Sequence, residues 1–307
     1  MANEIRTDVA PGSDILVAET VRRGALLLLG DRANLRNHPA LINLGADLFG
    51  STTQQINLLG LDGTDLMSAV DQPNAVANTA LTDAQATIAP AMNRLAYEMT
   101  DQAVISDPTG AINSPRLALS MVGSAAMTLT NLIAKEGDGF TTSGSTGVAF
   151  SHDTFIAAKA ALIQALVPGP FLLVMKPKSF TDWMTDLESR GGLTQYYPAS
   201  QQMQEIRGNG FQGTYDNIDI FTSNQVQGMN TNADWGNFLF GRGALGFKEV
   251  AMGAPPRSQI VLLDLNGVIR VAEDRNEKAG MTSVVGHYYV GTNVIETARG
   301  RTVLGAQ

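Results

Sequence analysis

The chain has 307 residues, a formal charge of −8 and no cysteine. That length can bury a sizeable core. The lack of thiols excludes disulfides, thiolate zinc sites and cysteine nucleophiles, and the acidic balance argues against a nucleic-acid reader. Charged residues make up 16% of the chain, against about 25% in ordinary soluble domains. A protein whose surface is covered by copies of itself has this property, because charges are depleted at interface cores; a low-charge enzyme has it too.

The start, MANEIRTDVA, lacks a basic-then-apolar signal pattern, and GALLLLG is far short of a membrane span. A polar arm leads into a helix expected over SDILVAETVRRGALLLLG, with Ser13 as cap and Ile15, Ala18, Val21 and Leu26 near helical spacing. DRANLRNHPALINLGAD reads as loop and short turns. Residues 41–134 carry eight Asp or Glu against only Arg94 and Arg116, and no lysine precedes Lys135.

TTQQINLLGL and ATIAPAMNRLAYEMTD read as two extended arms joined by a polar, turn-rich connection. Leu95, Tyr97 and Met99 alternate with Arg94, Ala96 and Glu98, and Pro90 confines this strand to the edge of a sheet. A long two-stranded ribbon is not stable alone in water, so the arm must lie on something. NSPRLALSMVGSAAMTLTNLIAKEGDG is the clearest element, a helix capped by Ser114, entered at Pro115 and followed by Gly137. Ala118, Val122, Ala125, Leu129 and Leu132 form its apolar stripe.

A second helix, SHDTFIAAKAALIQALV, stops at Pro168-Gly169-Pro170. The buried strand FLLVM and a capped helix, SFTDWMTDLESR, follow, with further strands in TYDNIDIFTS. Residues 224–236, charged only at Asp234, suit a surface loop. Asn266-Gly267 between IVLLD and VIRVAE signals a hairpin, and SVVGHYYVGTNVIETARGRTVL forms a closing ladder. Without regular βαβ alternation the class is α+β, with interrupted sheets.

FGRGALGFKE holds Gly241, Gly243 and Gly246 in the dinucleotide-binding spacing, with Asp264 eighteen residues on. Its context fails. Only FKEVAM could be helical before Gly253, Pro255 and Pro256, too short for a crossover between parallel strands, and Asp264 lies on the hairpin. The stretch reads as a helix start with small residues for close packing, and no cofactor site is expected. His38, His152 and His287 have no paired spacing and read as structural or surface residues. TSGSTG lacks the spacing of a nucleophile elbow, and EDRNEKAG lacks the alternating carboxylates of a calcium loop. Trp183, Trp235 and the twelve methionines read as packing. No catalytic constellation, metal site or cofactor is expected.

The order of elements resembles, along nearly the whole chain, the major capsid proteins of tailed bacteriophages, the Hong Kong 97-type capsid fold. The residues that carry it are the polar-tipped arm, LAYEMTDQAV, SPRLALSMVGSAAMTLTNLIA, PGPFLLVMKPKSFTDWMTDL, GTYDNIDIFTSNQV, LFGRGALGFKE and the ladder ending RGRTVL. The resemblance implies an N-terminal arm over 1–48, an extended loop over 49–86 and a peripheral domain with its spine helix over 87–169. An axial domain over 170–268 and a return to the peripheral domain over 269–307 complete it, the three glycines falling on an axial-domain helix. It also implies a non-catalytic virion subunit, assembled in the host cytoplasm into pentamers and hexamers around double-stranded DNA. The implied partners are copies of itself, a portal, a separate scaffolding protein if the chain is complete, and a decoration protein. DNA would be enclosed without sequence-specific binding, and no membrane is involved. The loop has no lysine, which excludes the lysine–asparagine links of some family members. Arg22, Arg23 and Arg36 are candidates to meet a neighbour's Asp62, Asp65 and Asp71, with Trp235 as a further contact candidate. An encapsulin-like nanocompartment shares the fold and stays open as an alternative, as does, from another class, a small-molecule enzyme with an undetected site.

Overall fold

The computed structural model describes residue 25 and residues 35–48, 53–59, 83–106, 114–191, 195–207, 210–253, 260–276 and 279–307. Ala25 is helical and buried; the rest of the expected N-terminal helix, and the tip of the extended arm, lie outside these residues.

In chain order the elements are β1 (Leu41–Leu48), β2 (Gln54–Leu59), β3 (Asp83–Ile88), β4 (Ala91–Thr100), α1 (Asp101–Ser106) and α2 (Ser114–Lys135). Next come β5 (Thr141–Ser143), α3 (His152–Gln164), β6 (Phe171–Met175), α4 (Pro177–Ser189), β7 (Tyr196–Pro198) and α5 (Gln201–Arg207). The remainder is β8 (Phe211–Tyr215), β9 (Ile218–Thr222), β10 (Gly228–Met229), β11 (Asp234–Phe240), β12 (Leu245–Ala251), β13 (Ile260–Leu265), β14 (Ile269–Asn276), β15 (Met281–Val294) and β16 (Gly300–Ala306).

The arm is a ribbon as expected: β2 pairs antiparallel with β3, Gln54 opposite Ile88. Its base rests on the protein, where Asn293 donates to the Thr87 carbonyl at 2.7 Å and Ile88 is buried. After Pro90 the chain becomes β4, which pairs antiparallel with β15 from Ala91 to Thr100. Leu95, Tyr97 and Met99 are more buried than Arg94, Ala96 and Glu98, the alternation that the sequence carries.

A six-stranded sheet runs β1-β12-β15-β14-β13, with β4 also on β15. Across it lies α2, with Ala118, Val122, Ala125, Leu129 and Ile133 buried. Helix and sheet lie close: a Cβ on Gly286 would sit 3.1 Å from the Met121 sulfur. The stretch 117–139 is long and apolar enough to cross a bilayer, but half of it is buried inside the protein. The hairpin at Asn266-Gly267 is as expected. Both residues adopt left-handed backbone angles, φ 54° and 75°, as a type I′ turn requires, and Asp264 accepts the Gly267 N–H at 2.6 Å.

The second sheet has eight strands, in the order β5-β16-β11-β6-β9-β8-β7, with β10 on β11. Its core is aromatic. Trp183 of α4 is buried against Phe155 of α3 (5.4 Å between ring centroids) and Tyr215 of β8 (5.2 Å). Fully burying a side chain such as Phe155 stabilises by about 1.5–3 kcal/mol.

Four expectations are corrected. Residues 245–251 are strand β12, not helix, because β1 on one side and β15 on the other satisfy their backbone groups, whereas a two-turn helix is marginal. Residues 41–48, expected as loop, are the parallel strand on that ladder. Helix α4 starts at Pro177 with no side-chain cap, its fixed φ suiting the first helical position. Residues 224–236 are not simply a surface loop. β10 folds back on β11, and fully buried Asp234 accepts from the Gly147 backbone and the Asn230 amide, both at 2.7 Å.

Strands β12 and β13 belong to the six-stranded sheet, while β5 and β16 belong to the eight-stranded one.

Candidate assembly surface

The dinucleotide spacing proves to be strand, turn and strand. The glycines are needed for approach: a Cβ on Gly246 would lie 2.5 Å from the Ile295 side chain, and one on Gly241 2.8 Å from the Pro168 carbonyl. Gly243 takes φ +89° in the turn between β11 and β12. Close packing was the correct reading and a helix the wrong one. Asp264 pairs with Arg270 at 3.1 Å.

Of the interface candidates, Arg36 and Trp235 lie among the described residues, and both make contacts within the chain. Arg36 donates to Glu249 at 2.5 Å, and buried Glu249 also accepts the Tyr288 hydroxyl at 2.6 Å. Burial first, then the Glu249 charge, pushes the Tyr288 phenol far above its usual range. Trp235 is half-buried, with the Lys176 ammonium 4.1 Å from its ring centroid. Arg22, Arg23, Asp62, Asp65 and Asp71 lie outside the described residues.

The three histidines stand apart. His38 accepts the Ala40 N–H on Nδ1 at 3.2 Å, so Nε2 carries the proton it donates to Asp219 at 2.9 Å. Arg207 also donates to Asp219, at 2.5 Å. Burial would raise the Asp219 carboxyl, but the bonds from His38 and Arg207 outweigh it and hold the group below the usual carboxylate range. The expected helix start at His152 is present: Ser151 and Thr154 form a capping box, and Asp186 accepts the His152 N–H at 2.7 Å. That bond, above all, lowers the Asp186 carboxyl. His287 stands between Arg94 and Arg270 in cross-strand register; burial first, then those two charges, lowers its pKa. Among the described residues no three His, Asp or Glu side chains converge on a metal-sized point.

What the sequence reading missed is apolar. On α3, Ile156 is 40% exposed and Ile163 53%, and beyond its end Leu166 is 62% exposed. Helix α3 ends in a Schellman motif, the Val167 N–H reaching the Leu162 carbonyl at 3.1 Å and the Leu166 N–H the Ile163 carbonyl at 3.0 Å. The residue after the cap in this motif is usually glycine. Here it is Leu166, at φ 54°, a conformation costing a bulky residue roughly 1–2 kcal/mol. A shallow cavity of about 110 Å³ opens beside it, between Ala165, Pro168 and Ala298. Tyr197 on β7 is 67% exposed and Met203 on α5 47%. The available signal was helix α3 itself, where Ile156 and Ile163 stand off the face that Phe155, Ala158 and Leu162 bury.

Taken together, an arm ribbon lying on a long-helix sheet and a second sheet with aromatic-cored helices define the Hong Kong 97-type capsid fold, in an α+β chain. Solved structures with that fold match it along most of its length. The capsid protein of cyanophage P-SCSP1u aligns with a TM-score of 0.58 and 11% identity, over 87% of each chain. The capsid of Ralstonia phage GP4 gives 0.58 and 10%, again over 87% of each chain. An encapsulin, SrpI of Synechococcus elongatus, gives 0.56 and 11%, over 87% of this chain and 85% of its own. No protein-family model and no curated protein matches the sequence.

Proposed function

We propose that this chain is the structural, non-catalytic subunit of an icosahedral capsid. It self-assembles into pentamers and hexamers and encloses double-stranded DNA, with the virion as its destination. The observation that carries the reading is the match of the fold to phage capsid structures over 87% of both chains. The low charge content and the uncovered apolar residues of α3, β7 and α5 support it, since both suit surfaces that meet other copies. In this reading the α2 sheet is the peripheral domain, the eight-stranded sheet the axial domain, and β2–β3 the base of the extended loop. A portal, a scaffolding protein and a decoration protein are the further partners it calls for.

A nanocompartment shell is the second reading, favoured by the encapsulin match alone. Electron microscopy of the purified product, with nucleic-acid and protein analysis of its contents, decides. Closed shells large enough for a genome and filled with DNA are expected. Small shells with enzyme cargo support the second reading, and a monomer under all assembly conditions defeats both.

A further inference from the structure

We propose that the cavity between α2 and the six-stranded sheet binds a small neutral molecule, one apolar ring that carries a single hydroxyl or similar hydrogen-bonding group. The inference goes beyond the shell reading and does not depend on it.

The first support is size. The cavity measures about 190 Å³. An apolar cavity of about 150 Å³ stays dry and holds one benzene, whereas pockets for drug-sized ligands begin at about 300 Å³. The space admits one ring and a substituent. Protein interiors close-pack, with few voids larger than a water molecule, so an opening of this size stands out from the core around it.

The second support is how the lining changes with depth. Met121, Ala125, Ile269 and Val271 are buried and form the floor. Ser124 and Asn93 are half-buried and stand nearer the solvent. Two further polar groups of the lining are already satisfied. The Thr128 hydroxyl donates to the Ser124 carbonyl at 2.9 Å, and the Tyr288 hydroxyl donates to Glu249 at 2.6 Å. The Asn93 amide nitrogen donates to the Ala91 carbonyl at 3.3 Å. What remains is the Ser124 hydroxyl and the Asn93 amide oxygen, which make no hydrogen bond among the described residues. An apolar floor beneath two unengaged polar atoms orients a molecule with its ring inward and its polar group outward.

The third support is charge. Arg94 and His287 also border the cavity, but along their strands they alternate with Leu95, Gly286 and Tyr288. Gly286 faces Met121 of α2, so the side chains of Arg94 and His287 leave by the other face of the sheet. Among the described residues no charged side chain lines the space. A carboxylate or an ammonium would enter it without a partner, at a high desolvation cost, and a neutral molecule would not. Once seated, the molecule touches α2 and three strands together and favours one arrangement of helix on sheet.

Phenol is the probe, with toluene as the same shape lacking the hydroxyl and benzoate as the charged control. Calorimetric titration of the unassembled full chain near pH 7 is expected to show saturable binding of phenol at one site. Toluene should bind about fivefold more weakly, and benzoate should give no binding. Hydrogen exchange across α2 should slow when phenol is bound. Ala125→Leu, whose added carbons occupy the same space, should abolish binding. Ser124→Ala should keep the fold and weaken phenol about fivefold, toward the affinity of toluene. A chain that binds no phenol, or that binds benzoate as well as phenol, overturns the inference and leaves the shell reading standing. So does wild-type affinity for phenol in both variants.

Discussion

The two sheets are covered in opposite ways. Over the eight-stranded sheet the contact is made by large rings, with Trp183 touching Phe155, Tyr215, Phe180 and Tyr196. Over the six-stranded sheet it is made by small and flexible side chains of α2 facing Gly286 and Tyr288, and a cavity of about 190 Å³ remains between Met121, Ser124, Ala125 and Thr128 and the strands. Rings interlock in one arrangement only. Alanine, serine and methionine against a glycine-bearing strand leave alternatives close in energy. The aromatic half should therefore resist every change of shape, and the helix half should tolerate them.

The largest expected effect is at the centre of the rings. Trp183→Ala should cost about 3–5 kcal/mol, read in the denaturation midpoint of the unassembled subunit. A loss under about 1 kcal/mol would break the comparison.

A matched pair of insertions sharpens it. Ala158 and Ala125 are both buried helix alanines, one under α3 among the rings and one beside the α2 cavity. Ala158→Leu should destabilise by about 1–3 kcal/mol through overpacking, and Ala125→Leu by clearly less, because its added carbons have space to enter. Equal costs would mean that the cavity closes in solution.

Acid titration should separate the halves more finely. The Asp219 carboxyl, lowered in the folded state, contributes stability above its unfolded pKa of about 3.9. That contribution is lost as pH falls through the folded value. Asp219→Asn should flatten the stability curve below about pH 4.

The smallest effect belongs to His287 in the other sheet. Its lowered pKa means that the unfolded chain takes up a proton first, so stability declines as pH falls below about 6.5. His287→Asn should remove that slope and leave the behaviour above pH 7 unchanged.

Local signals were legible where the backbone needs a particular residue. Ser151 at a cap, Asn266-Gly267 in a turn, Pro90 beside an edge strand and the alternation from Arg94 to Met99 each state a local requirement, and each is met. The errors fall where a distant partner decides. FKEVA is a strand because residues 41–48 and 290–294 bond to it from both sides, and nothing within the segment says so. Arg36 likewise pairs with Glu249, 213 positions away, a contact that nothing near it in the sequence signals. The exposed residues of α3 escaped notice because an apolar helix reads as core until the sheet beneath it shows how few faces it can cover.

Strand β16 sits between β5 and β11 in the eight-stranded sheet, although about 60 residues separate it from β11 and more than 150 from β5. On the ribosome, residues 141–240 emerge before β16 and wait with β5 unjoined to β11. Seven residues, Gly300–Ala306, then link the two, after β12 to β15 have completed the six-stranded sheet that β1 and β4 belong to. Neither sheet is a separable module that could be cut out or grafted. A nascent chain has no finished eight-stranded sheet until a single late strand has arrived.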